Sequence, residues 1–186
     1  MRFAVTILTG VAAAALASCG PSTGNSAAPQ SATARDAAGD KTIADALGTD
    51  DSKFAGAAKA TGLDATLAGP GPYTVLVPTN AAFDKLPAGT LDTLMKPQSR
   101  ARLTRLLTAH ILPGAILAED IAKAVDNGKG KATLATFGGD TLTATRDGAT
   151  IILTDHAGAR AVLGASDDKR SNGVVHHVDT VLAPAG

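Results

Sequence analysis

Apolar residues change their spacing repeatedly along this chain. Phe3 to Ala17 is an almost unbroken apolar run behind Met1-Arg2. Gly20 to Asp40 has no large apolar residue and is built mainly from Ser, Thr, Ala, Pro, Gly, Asn and Gln. Such a segment buries too little to fold. From Lys41 the apolar positions fall at helical spacing. Thr42 to Leu47 reads as a short helix stopped by Gly48. Asp51 or Ser52 caps a second helix, with Phe54, Ala57 and Ala58 on one face and Gly62 as its stop. Gly69-Pro70-Gly71-Pro72 is a turn, and Tyr73 to Val77 is a strand ended by Pro78. Thr79 or Asn80 caps a short helix carrying Phe83, and Pro87 opens another with Leu91 and Leu94. Gln98 to Ala109 is the clearest helix, because Leu103, Leu106, Leu107 and His110 make one apolar stripe. His110 to Leu112 then reads as a strand, and Leu117 to Val125 as a helix.

Beyond Asn127-Gly128 the period becomes two. Thr133–Phe137, Thr141–Thr145, Thr150–Thr154 and Val174–Leu182 are predicted strands, with Arg160–Ala165 as a further candidate. Helices dominate the first half and strands the second. Segregation of this kind predicts an α+β fold.

Composition then places the chain in a compartment. Cys19 is the one cysteine, and Leu16-Ala17-Ser18-Cys19-Gly20 closes the apolar run as a lipobox. The run is too short to span a bilayer, so residues 1–18 read as a secretory signal. Residues 19–40 read as an acylated flexible tether, and 41–186 as one folded domain without disulfides. As a coil, the tether would hold the domain about 25 Å from the membrane. Gly20, rather than Asp, after the cysteine favours the outer membrane or cell surface of a bacterium. Basic and acidic residues balance at seventeen each, which argues against a nucleic-acid surface and against polybasic membrane docking. Anchoring is therefore assigned to the lipid. With no Trp and one Tyr, the chain has few rings for a carbohydrate face.

Chemistry-bearing motifs are sparse. Gly128-Lys129-Gly130-Lys131 lacks the glycine and hydroxyl residue of a phosphate loop. No serine sits in a nucleophile elbow, and no histidine pair has zinc spacing. Asp168 to Asp179 fails as a calcium loop because Arg170 stands where an oxygen ligand is needed. Asp50-Asp51 and Asp167-Asp168 read as solvated turn residues or helix caps. His110 lies on the leucine stripe and reads as a buried imidazole bonded to backbone. His176 and His177 alternate on a strand, placing His176 with Val174 and Val178 toward the core and His177 with Asp179 on the opposite face. His177 and Asp179 are two ligands at most, too few for a metal site. No cofactor, metal or catalytic set is legible, so the chain reads as a non-enzyme.

Three segments in order carry a resemblance. They are Gly71-Pro72-Tyr73-Thr74-Val75-Leu76-Val77-Pro78-Thr79-Asn80-Ala81-Ala82-Phe83, Leu106-Leu107-Thr108-Ala109-His110-Ile111-Leu112-Pro113-Gly114, and Ser171 to Pro184, which opens Ser171-Asn172-Gly173-Val174-Val175-His176-His177. Together the chain resembles fasciclin (FAS1) domains over about Lys41 to Pro184. The resemblance implies a β-sandwich-like wedge with several helices packed along it. It also implies a non-enzymatic adhesion role with extracellular or cell-surface partners. Thr79, Asn80, Phe83, His110, Asn172, Gly173, His176 and Asp179 match family positions, and most of these are expected to be structural. Where the family often has Tyr before His, this chain has Ala109-His110. The expected function is a lipid-anchored module binding a protein or envelope polymer. The alternative is a small-ligand-binding protein using His110, His177 or Asp179.

Overall fold

A computed structural model describes residues 41–47, 51–164 and 167–184. The signal, Cys19 and the tether lie outside the described residues. Helices α1 (Ile43–Ala46), α2 (Ser52–Thr61) and α3 (Leu63–Ala68) precede strand β1 (Tyr73–Pro78). Helices α4 (Asn80–Asp84), α5 (Thr90–Leu94) and α6 (Arg100–Thr108) follow, with a 3-10 turn at Pro97–Ser99. Then come β2 (Ile111–Pro113) and α7 (Ala118–Asn127). The remaining strands are β3 (Lys131–Ala135), β4 (Thr141–Asp147), β5 (Thr150–Thr154), β6 (Arg160–Val162), β7 (Asp168–Arg170) and β8 (Gly173–Val178).

The helix ends follow from local chemistry. Thr42 and Asp45 form a reciprocal capping box on α1. Gly62 takes φ +82° to close α2, and the chain restarts at once as α3. The apolar spacing predicts no helix directly after Gly62, yet α3 follows there. Pro97 sets off the turn before α6, so the helix expected from Gln98 begins at Arg100.

The strands form two sheets, ordered β2-β1-β8-β7 and β3-β4-β5-β6. The second is an antiparallel meander. The first is mixed, because β1 and β8 run parallel, with Tyr73 opposite Gly173 and Val77 opposite His177. A sheet buried on both faces shows apolar residues without alternation. That holds for β1. Val75 and Val77 enter a core with Phe54, Phe83, Leu103 and Leu107 from the helices. Leu76 enters a second core with Ile121, Leu142 and Leu153 from the sandwich. Residues of β8 divide likewise, Val175 to the helical core and Val178 to the sandwich core.

Three expectations need correction. The last strand ends at Val178 rather than Leu182. Asp179 leaves the ladder, while Val181 and Leu182 remain buried in different cores. The expected strand at Thr133–Phe137 lies at Lys131–Ala135. Asp168–Arg170 forms a strand rather than a turn, because it pairs with Gly173–Val175 across a tight hairpin.

Candidate functional site

The family-like segments converge where β1 meets β8. Asn172 stands just before β8 and is nearly buried. Its Oδ1 accepts the Ile43 N–H at 2.8 Å. Its Nδ2 donates to the carbonyls of Leu67 at 2.7 Å and Gly69 at 2.8 Å. Its backbone oxygen accepts the Tyr73 N–H at 3.0 Å. One side chain thus joins the start of α1, the end of α3 and the start of β1. Gly173 follows at φ +152°, and a Cβ there would fall 1.8 Å from the Tyr73 oxygen. Only glycine permits this backbone approach. The turn role expected of Asn172-Gly173 is present. Asn172 as a three-way brace was not foreseen.

Thr79 caps α4, accepting the Ala82 N–H at 3.3 Å. Asn80 does something different. Its Oδ1 accepts the Lys53 N–H at 3.1 Å, so it serves the first turn of α2 across the fold. Phe83 enters the helical core, as expected.

His176 is fully buried, and its Nε2–H donates to the Ile116 carbonyl at 2.9 Å. Its Nδ1 lies 3.3 Å from Asp167 Oδ1 without hydrogen-bond geometry. Burial lowers its pKa, opposed by the Ile116 bond and the Asp167 charge. Asp167 accepts the Ala118 N–H at 2.9 Å, capping α7 from a distant segment. The helix-cap alternative for Asp167 is therefore the one that applies.

His177 faces the helical layer. Its Nε2 lies 3.0 Å from Asp51 Oδ2, with side-chain exposures of 39% and 5% respectively. Asp51 is thus no solvated turn residue. It occupies the N-cap position of α2 without making a side-chain capping bond, and its Oδ1 is buried without a hydrogen-bond partner. The helix N-terminus favours this carboxylate electrostatically. The outer face of β8 is consequently packed rather than open.

His110 is also fully buried. Its Nδ1–H donates to the Leu106 carbonyl at 2.8 Å, and its Nε2 accepts the Leu182 N–H at 3.0 Å. These two bonds fix the neutral tautomer. Burial drives its pKa from 6.5 down to about 4, against the Leu106 bond and the Asp155 charge. The neighbouring amide of Ala183 donates to Asp155 Oδ2 at 2.7 Å. His110 and Asp155 together pin the chain after β8. A ligand reaching for His110 would have to open the core.

Asp179 accepts the Val162 N–H at 2.8 Å and pairs with Lys85 at 3.2 Å. Burial raises its pKa, but the Val162, Lys85 and Thr180 bonds outweigh that and leave it lowered. The histidines and Asp179 therefore do not converge. His177 pairs with Asp51, Asp179 with Lys85, and His110 with backbone. Among the described residues, no group of three His, Cys, Asp or Glu could hold a metal. The bonds of these residues brace the fold.

Surface features remain as contact candidates. Phe137 is 52% exposed and stacks edge-on against Tyr73 at 5.7 Å between ring centres. A hollow of about 410 Å³ lies beside Pro70, Pro72 and Asn172. The exposed ring pair was invisible in sequence, since Tyr73 and Phe137 are far apart along the chain.

Comparison with known proteins agrees with this architecture. The fasciclin domain model matches residues 50–184. Protein sll1483 of Synechocystis is 36% identical over 134 residues, covering 72% of this chain and 67% of that protein. Transforming growth factor-beta-induced protein ig-h3 of Sus scrofa is 34% identical over 128 residues, covering 69% of this chain but 17% of that protein. The FAS1 domain pair of the insect cell adhesion molecule Fasciclin I superposes with a TM-score of 0.66 at 16% identity, covering 76% of this chain and 50% of that one. That likeness shows the fold alone. Fasciclin domains are associated with cell adhesion and extracellular protein interactions. No helix among the described residues is long and apolar enough to cross a membrane. On the strength of the matched model and the relatives, this chain belongs to the fasciclin domain family.

Proposed function

We propose that this chain is a non-enzymatic contact module, held to a bacterial outer membrane or cell surface through acylated Cys19. It would bind a protein or envelope polymer there. The observation that carries this reading is the commitment of the titratable family-position residues to internal bonds. His110, His176 and Asp179 hold backbone groups, and Asn172 braces three elements. Binding is then left to the surface, as in a module that works by contact. Relatives give the reading its context, including one called cell surface glycolipoprotein MPB83, of Mycobacterium bovis, 54% identical over 44 residues. Residues 1–18 act as signal and 19–40 as tether in this proposal. Metabolic labelling with a fatty acid should mark the chain and be lost with Cys19→Ser. Crosslinking in intact envelopes should recover a partner in the same cells. A processed chain free of fatty acid, or envelopes that yield no crosslinked partner, would overturn the proposal.

A further inference from the structure

The two sheets end on β2, β7, β3 and β6. An outer strand presents unpaired N–H and C=O groups unless something covers it. At β2, the Ile111 carbonyl accepts the Phe137 N–H at 2.8 Å. At β6, the Val162 N–H donates to Asp179 Oδ1 at 2.8 Å, and Leu163 bridges to Val178. β7 is three residues long, and the Ser171 N–H that follows it donates to the Lys41 carbonyl at 3.0 Å. β3 differs from these. The Thr136 N–H turns toward β4, to the Asp140 carbonyl at 2.9 Å, and the Phe137 N–H turns the opposite way, to β2. Bonding directions alternate along a strand, so Thr133 and Ala135 point their N–H and C=O groups outward, away from β4. Both residues are exposed. Among the described residues, no backbone bond reaches either from outside the β3–β4 ladder. Ala132 and Leu134 are half-buried and pack inward against the sandwich core. The strand's two ends carry different chemistry. Lys129 and Lys131 stand exposed at its start, while Asp140 and the exposed Phe137 ring stand in the turn after it.

We propose that β3 is the pairing edge for a second copy of this chain, joined antiparallel about a two-fold axis at Thr133. Pairing through all five residues of the strand sets Thr133 opposite its own copy, where the two exchange N–H to C=O bonds. The Ala135 N–H then reaches the Lys131 carbonyl of the other copy. Ala132 meets Leu134, so the two sandwich cores continue into one another across the axis. Charge complementarity selects this occupant. Antiparallel pairing brings the Lys129–Lys131 end of each strand alongside the Phe137–Asp140 turn of the other. Cations are set beside a carboxylate and an exposed ring. A lysine on an outer strand ordinarily discourages pairing. In this register Lys131 lies opposite Ala135, so the like charges stay apart, whereas a register that set it against itself is disfavoured. A strand from an unrelated protein would need matching ends of its own, and a second copy supplies them by symmetry. The inference rests neither on acylation of Cys19 nor on an envelope partner.

The test is sedimentation equilibrium of the full chain in detergent, every variant carrying the same N-terminal segment. The wild type should be mainly dimeric at about 0.1 mM, as suits a small interface. Thr133→Lys and Thr133→Glu each set like charges face to face and should weaken dimerisation about fivefold. An equimolar mixture of the two should return to within about twofold of the wild type, because opposite charges then meet. Ala135→Pro removes an outward donor and no β4 bond, and should weaken dimerisation by about fivefold or more. It carries the test if thermal melts show the Thr133 variants to be unstable. Thr150→Lys, on β5, should leave the dimer unchanged. A monomeric wild type would overturn the inference. So would failure of the mixture to recover, or an equal loss in Thr150→Lys. Hydrogen exchange supplies a further arm. The Thr133 and Ala135 amides should be protected in the dimer and exchange freely on dilution. Protection that persists in the monomer would assign this edge to another segment of the chain and overturn the inference as well.

Discussion

The seam between β1 and β8 and the outer surface of α5 and α6 spend their polar residues in opposite ways. At the seam, Asn172 and His176 are turned inward against backbone, and Asp51 against His177. On the α5–α6 surface, Asp92, Lys96, Arg102 and Arg105 are exposed. The seam holds the residues that match the family, and the matching is explained by packing. The lesson is that resemblance marks what the fold needs, while the contacts particular to this chain are sought where the residues are free to differ.

The largest expected effect separates two glycines. Both Gly173 and Gly89 have positive φ, at +152° and +76°. A Cβ at 173 meets the Tyr73 backbone at 1.8 Å, whereas one at 89 meets nothing within 4 Å. Gly173→Ala should therefore cost more than about 4 kcal/mol and prevent stable folding. Gly89→Ala should cost about 1 kcal/mol, the left-handed backbone penalty alone. Urea titration of both variants measures this. Similar midpoints would show that crowding does not distinguish the seam.

Asn172→Ala comes next. It leaves the Ile43 amide and the Leu67 and Gly69 carbonyls without their partner, for a loss of about 3 kcal/mol. Arg102→Ala on the α6 surface should change stability by less than about 1 kcal/mol. A loss below about 1 kcal/mol for Asn172→Ala would remove its role as a brace.

Acid should weaken the seam as well. His110 has a folded pKa near 4 and an unfolded value near 6.5. Above 6.5 it is neutral in both states and sets no pH dependence. As pH falls from 6.5 to 4 the unfolded chain takes a proton that the folded one refuses. Stability is lost across that window, by about 3 kcal/mol at its foot, and no further below it. His176, shifted in the same direction, adds to the slope. His110→Gln keeps a donor and an acceptor but should flatten the fall in chemical-denaturation stability between pH 6.5 and 4. An unchanged slope would show that His110 titrates normally.

Much of the fold was legible because its signals are local. Gly62, Pro78 and Thr79 punctuate the chain where the sequence says they should. His110 fell on its leucine stripe and was read as a buried imidazole bonded to backbone, as it is. The partners that the sequence leaves open share a different cause. Asp51, Asn80 and Asp167 are polar residues in polar stretches, and nothing nearby reveals that His177, the α2 amides and the α7 amides receive them. Their partners lie 126, 27 and 49 positions away. Alternation along β8 separates His176 from His177, but nothing local shows that helices from the other end of the chain cover the His177 face.

That covered face gives the smallest and sharpest prediction. Had His177 been solvated, His177→Ala would be nearly silent beside His176→Ala. With Asp51 buried behind it, removing the imidazole leaves a carboxylate without its cationic or hydrogen-bonding neighbour, for a loss of about 2 kcal/mol. His176→Ala strands the Ile116 carbonyl at a similar cost. Equal melting temperatures for the two variants are thus compatible with opposite faces, because both faces are packed. A double-mutant cycle isolates the pair. Asp51→Asn removes the charge that His177 screens, so adding it to His177→Ala should recover about 1 kcal/mol relative to the sum of the single losses. Strict additivity would mean that the 3.0 Å contact contributes nothing to stability, and that Asp51 is held by the α2 terminus alone.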